Sequence, residues 1–129
     1  IMLIVVLEWD YIRLKKKYVG WPCTPGFEYS GIIESIGSKA MDEAKAKGLS
    51  VGCEVFGVTR FFAYAEFVSV PVNYVYLKPK SFTFEQIAGF PAVFLTAYYA
   101  IHELAHVKQG DTCLVHSAAG GVGSALCRL

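Results

Sequence analysis

Asp111–Leu129, DTCLVHSAAGGVGSALCRL, is the stretch whose reading decides the fold. Thr112 to His116 is a short apolar run of strand formers that follows the turn residues Gly110 and Asp111. Small residues come next, from Ser117 through Gly123, and Ser124, Ala125 and Leu126 then open a helical pattern. A strand, a glycine turn and a helix start, in that order, make the first half of a dinucleotide-binding unit. Against G-x-G-x-x-G the matching positions are Ala118, Gly120 and Gly123, with Ala in place of the first glycine. A pyrophosphate needs backbone N–H groups at close range, and a side chain at Gly120 would hold it off. The helix starting there aims free N–H groups and its positive dipole end at the anion. Gly123 is expected to let that helix pack tightly on the strand. Ala118, Gly120, Gly121, Val122 and Gly123 are therefore the candidate cofactor contacts. The competing reading is a tight structural turn between any strand and helix.

The chain closes about two turns into that helix. The acidic or basic residue that separates NAD from NADP belongs about 20 residues further on. The expectation is an N-terminal fragment in which the α/β nucleotide domain has only begun.

A chain of 129 residues is long enough for one domain. Its hydrophobic content of 54% and mean hydropathy of +0.41 are high, so part of the apolar surface is expected to face the rest of the subunit or a partner. A net charge of +1 gives no basic footprint for nucleic acid. The apolar run from Ile87 to Ile101 contains Pro91 and falls short of the ~20 residues of a bilayer span. It reads as a buried helix pair. Cys23, Cys53, Cys113 and Cys127 form no C-x-x-C pair and imply neither a disulfide framework nor a zinc knuckle. Reduced thiols and a cytoplasmic location are expected.

Upstream, Ile1 to Glu8 reads as a strand and Trp9 to Tyr18 as a turn or short helix. Phe27 to Ile36 is strand-like, with Gly31 suggesting a bulge or a close backbone approach. Between Gly37 and Gly52 a small charged helix is expected, capped by Ser38, braced by Glu43 and Lys47 at i,i+4, and closed by Gly48. It reads as a surface insertion. Glu54 to Val58, Ala63 to Val70 and Tyr74 to Leu77 read as further short strands, and this spacing suggests a barrel or sandwich. Thr83 with Gln86 makes a capping box. Gly89 and Pro91 interrupt that helix, and a second runs from about Ala92 to about Leu104. The β-rich part is expected to hand over to an α/β part near Ser81.

His102-Glu103-Leu104-Ala105-His106 matches H-E-x-x-H, the zinc metallopeptidase signature. No third ligand follows at the usual spacing, since Gln109 and Thr112 stand where Gly and His are wanted. His116 lies in the presumed strand. The favoured reading gives these histidines to free carbonyls at a helix end.

Five ordered motifs together resemble the zinc-free branch of the medium-chain dehydrogenase/reductase superfamily, that of quinone oxidoreductases and vesicle amine transport proteins. They are Pro25 to Gly31 (PGFEYSG), Gly52 to Gly57 (GCEVFG), Ala63 to Phe67 (AYAEF), Leu95 to Tyr98 (LTAY) and Val115 to Gly123 (VHSAAGGVG). The resemblance implies a β-rich GroES-like barrel domain, lacking its first strands, over 1–80, linking helices over 81–110 and the start of a Rossmann domain over 111–129. The zinc-dependent branch holds its catalytic metal with a Cys after the early strand and with the His of a Gly-His-Glu turn. Those positions here are Leu7 and Phe27, neither of which ligates a metal.

The resemblance implies hydride transfer from NADPH, with NAD not excluded, to a quinone or an α,β-unsaturated carbonyl. Tyr18 matches a tyrosine near nicotinamide and substrate, or is a half-buried loop aromatic. Thr96 matches a cofactor-contacting threonine, or bonds its own preceding helical turn. Leu7 and Val93 stand where zinc-free reductases carry asparagines, which keeps open a non-catalytic NADP-binding interaction protein of the same fold. The resemblance leaves room for a homodimer of the full-length protein. The 129-residue chain alone is expected to be inactive.

Overall fold

The computed structural model describes residues 24–129. The expectations placed on Ile1 to Glu8, on Trp9 to Tyr18 and on Cys23 lie outside the described residues. The chain divides into two compact units, Ile1–Gly89 and Phe90–Leu129.

Among the described residues of the first unit three antiparallel strands lie in the order β1-β2-β3: β1 Glu28–Ile32, β2 Glu54–Val58 and β3 Val75–Leu77. β2 shows the period-2 burial of a sheet with one covered face, with Val55 and Gly57 buried and Glu54 exposed. β1 pairs residue for residue with β2, from Glu28 opposite Val58 to Ile32 opposite Glu54. Gly31 therefore sits in unbroken register opposite Val55, and the expected bulge is absent.

Between β1 and β2 lie a 3₁₀ turn, Ser38–Ala40, and α1, Met41–Ala46. The Ser38 side chain caps neither element; Gly37 and Ala40 hold the cap positions. The i,i+4 brace gives way to tertiary bonding, because the Lys47 ammonium donates to the Val72 carbonyl at 3.0 Å and lies over the Tyr76 ring. Gly48 does close the helix, at φ +70°. The segment is more than an insertion, since Ala44 and Leu49 join Val55 in the core beneath Ile33, Ile36, Val72 and Val75.

The expected strand over Ala63–Val70 does not form. A strand needs a continuous ladder, and this segment bends at 64–66 after bonding back to the 24–27 segment. α2, Phe84–Ala88, starts at the capping box read from the sequence: Thr83 Oγ1 accepts from the Gln86 N–H and Gln86 Oε1 from the Thr83 N–H. Such a cap contributes about 1 kcal/mol. Glu85, in that first turn, has its carboxyl held below the usual range by its own backbone N–H and then by Thr83. α2 buries Ile87 and Ala88, and its Phe84 carbonyl accepts from the buried Ser30 hydroxyl at 2.8 Å. Lys78, at the end of β3, pairs with Glu54 at 3.0 Å and donates to the Phe82 carbonyl at 2.7 Å, tying β2 to the approach to α2.

The second unit contains α3, Pro91–Tyr98, which continues as a π-helical stretch, Tyr99–Leu104, and then α4, Gly121–Leu126. Pro91 takes the first helical position, where its missing N–H costs nothing. Thr112–His116 is not a strand. Its turn is present, with Gly110 at φ +97° and the Lys108 N–H donating to Asp111 Oδ2, but no strand lies beside it among the described residues.

Gly57 is the tightest point of the sheet. A Cβ there would run into the Tyr74 carbonyl and lie 2.8 Å from Tyr29 Cζ. The Tyr29 hydroxyl donates to that same carbonyl at 2.9 Å, and burial, then the neighbouring Tyr76, push its pKa well up. Gly57→Ala is expected to cost about 1–3 kcal/mol through overpacking. Urea unfolding measures it, and an unchanged midpoint would contradict this packing.

Candidate functional site

The turn before α4 is built from small residues because the backbone crosses itself there. Ser117 adopts φ +53° and its carbonyl accepts the Gly120 N–H at 2.8 Å. Gly120 is extended and serves as N-cap, and the Ser124 N–H returns to its carbonyl at 2.8 Å. A Cβ on Gly123 would overlap the Ser117 carbonyl and lie 2.9 Å from Ala118 Cα. A Cβ on Gly120 would stand 3.2 Å from the Ser117 oxygen, a tight approach. Gly120 thus stands at the start of the first turn, whose N–H groups have no acceptor inside a helix.

The sequence assigned Gly123 to packing of helix on strand. It packs instead on the turn that precedes its own helix. The packing between helices falls to Gly121, where a Cβ would lie 2.9 Å from Val93 Cγ1 on α3. Ala97 of α3 and Ala125 of α4 are buried, so small residues let the two helices approach. Val93 therefore has a packing role that its place in the LTAY neighbourhood did not reveal. Thr96 is exposed on the same helix, one turn beyond Val93. Unit two thus carries Thr96 and the glycine turn on two helices in mutual contact, while Tyr18 lies outside the described residues. Ser117 is the residue that sequence reasoning missed. Its left-handed backbone has no residue-type signal, and only the fixed spacing to Gly123 hints at it.

The histidines of the H-E-x-x-H match fall on a π-helical stretch and its end. His106 Nδ1 lies 2.9 Å from the His102 carbonyl, and His106 itself adopts φ +50°. The His102 ring packs on Tyr98 with centroids 4.3 Å apart. Both rings are thus engaged at the helix end, one on a free carbonyl. Among the described residues no group of three or more His, Cys, Asp or Glu is placed to hold a metal ion. Among them, too, no helix is long and apolar enough to cross a membrane.

No family model matches the chain. It is 42% identical over 108 residues to the human "Synaptic vesicle membrane protein VAT-1 homolog-like", an alignment covering 84% of this chain and 24% of that protein. It is 36% identical over 108 residues to the quinone oxidoreductase of Pongo abelii, covering 84% of this chain and 31% of that one. A mycobacterial protein solved in complex with NADPH superposes with TM-score 0.82 at 35% identity, over 95% of this chain and 37% of that one. Over most of its length the chain is similar to VAT-1 homologs and quinone oxidoreductases. It spans about a quarter to a third of the length of the curated relatives it matches.

Among the described residues of the first unit, the thiol of Cys53 has a shifted pKa. Cys53, beside Gly52 in the GCEVFG motif, has its pKa lowered by the Ser50 hydroxyl 3.2 Å away and by the Ser50 backbone. A lower pKa means more thiolate at neutral pH. Ser50→Ala is expected to slow iodoacetamide alkylation of Cys53 about two- to threefold at pH 7, following the lost thiolate fraction. Peptide mapping by mass spectrometry, with Cys113 and Cys127 as internal references, reads the change.

Proposed function

We propose that the intact protein is an oxidoreductase transferring hydride from NADPH to a quinone or an α,β-unsaturated carbonyl without zinc. One observation carries the reading: a glycine turn with no room for a side chain at Gly123, directly before a helix start that has Gly120 as its N-cap. A turn of small residues leading into a helix start suits a pyrophosphate. Ala118, Gly120, Gly121, Val122 and Gly123 would line the pyrophosphate, with first-turn N–H groups donating to it while the Gly120 N–H stays on the Ser117 carbonyl. The bound nicotinamide supplies the hydride. Thr96, exposed on the helix packed against α4, and Tyr18 would orient it. The relative solved with NADPH supports that cofactor, with NAD not excluded.

Zinc independence rests on residue chemistry. Leu7 and Phe27 stand at the metal-ligand positions and carry no ligating atom. Without a Lewis acid the acceptor must already be electron-poor, and charge developing on its oxygen is stabilised by hydrogen-bond donors in a dry site. The accompanying architecture is a GroES-like barrel over 1–80, linking helices over 81–110 and a Rossmann domain beginning at 111. Thr112–His116 then becomes its first strand once neighbours flank it. A cytoplasmic enzyme, homodimeric when complete, fits this reading.

A second reading, a non-catalytic NADP-binding interaction protein, is favoured by Val93. That side chain packs against Gly121 and offers no amide. Steady-state NADPH oxidation by full-length protein with a panel of quinones separates the two. Turnover above background is expected. Cofactor binding without turnover leaves the interaction protein.

Gly120→Val in the full-length protein is expected to weaken NADPH binding about tenfold or more, by filling the approach to the N–H groups. Fluorescence titration reads it, and unchanged affinity would remove the cradle. The 129-residue chain alone is expected to show no micromolar NADPH affinity, and finding such affinity would overturn that expectation.

A further inference from the structure

Ser117 adopts φ +53°, in the left-handed region, and it is exposed. A residue with a side chain holds that backbone only where its surroundings impose it. Burial does not offset the cost here, and glycine would hold the same conformation freely. What the turn gains is the direction of the Ser117 carbonyl.

That carbonyl is the meeting point of the turn. It accepts the Gly120 N–H at 2.8 Å, and a Cβ on Gly120 would stand 3.2 Å from it. Gly123 passes so close to it that no side chain fits there. The Gly120 carbonyl in turn accepts the Ser124 N–H at 2.8 Å, which is the opening bond of α4. Two hydrogen bonds in series thus run from the Ser117 peptide into the first turn of the helix. The same turn is held from outside, because Gly121 meets Val93 of α3. Rotating Ser117 out of the left-handed region would swing its carbonyl away from Gly120 and unseat the helix start.

We propose that Ser117 is a positioning residue for the dinucleotide. Its left-handed backbone, not its hydroxyl, holds the first-turn N–H groups of α4 in the arrangement that receives the pyrophosphate. The proposal rests on the NADPH reading for its ligand. It makes a claim about residue type: residues at ease in the left-handed region can replace Ser117, and a β-branched residue cannot.

The test uses full-length protein and NADPH, with affinity read by fluorescence titration well below the thermal transition of each variant. Ser117→Gly removes the hydroxyl and accepts the backbone, so affinity should stay within about twofold and the thermal transition should not fall. Ser117→Asn, at ease in the same region, should behave alike. Ser117→Thr keeps a hydroxyl and resists the backbone, so Kd should rise about tenfold. A threonine variant that loses only thermal stability and binds within twofold of the natural protein would overturn the proposal. So would weaker binding in both the glycine and asparagine variants, which would give the role to the hydroxyl; that pair decides if the threonine variant does not fold. If the natural protein binds no NADPH, the cofactor reading fails by itself. Hydrogen exchange over residues 117–124 then decides whether Ser117 sets the turn. Faster exchange in Ser117→Thr than in Ser117→Gly upholds it, and equal exchange sinks it.

Discussion

At several points this backbone approaches itself so closely that no side chain fits. At Gly57 a Cβ would strike the Tyr74 carbonyl, at Gly26 the Tyr64 ring, and at Gly123 the Ser117 carbonyl. Each approach excludes every residue but glycine on steric grounds. The three share a consequence. Gly57 lets Tyr29 cross β2 and bond to the chain entering β3. Gly26 lets the 24–27 segment lie against Tyr64. Gly123 folds the turn under its own helix, with Gly120 as N-cap beside the first helical N–H groups. Packing constraint and candidate chemistry are thus one geometry.

The second unit adds a different kind of constraint. α3 and α4 meet through Val93 and Gly121, with Ala97 and Ala125 buried, so the helix carrying Thr96 is set directly against the helix that opens at the glycine turn. Beyond Tyr98 the helix widens into a π stretch and ends on His106, whose ring returns to the His102 carbonyl. A metal-like sequence pattern becomes helix termination. His106 lies beyond the π stretch at φ +50°, so helical i,i+4 geometry does not govern the pair.

The sheet shows how alternation and tertiary bonding divide the work. Glu54–Val58 was legible because its period-2 pattern and turn residues agree with its place as the central strand. Ala63–Val70 has strand-forming residues but no ladder, and Thr112–His116 has them with no strand paired to it among the described residues. Strand propensity describes a side chain suited to a pleated surface; it does not supply the partner.

Local chemistry fixed what local chemistry can. The Thr83–Gln86 capping box, the Gly48 and Gly110 turns, Pro91 at a helix start and the glycine turn before α4 were all readable, because each depends on residues within four positions. Only tertiary structure decided which atoms fill the space at each glycine, that Gly121 rather than Gly123 joins the helices, and that Lys47 reaches Val72 rather than Glu43. It alone decided that Ser117 and Phe62 take left-handed backbones. Those outcomes depend on atoms far apart in the chain, and no residue type announces them.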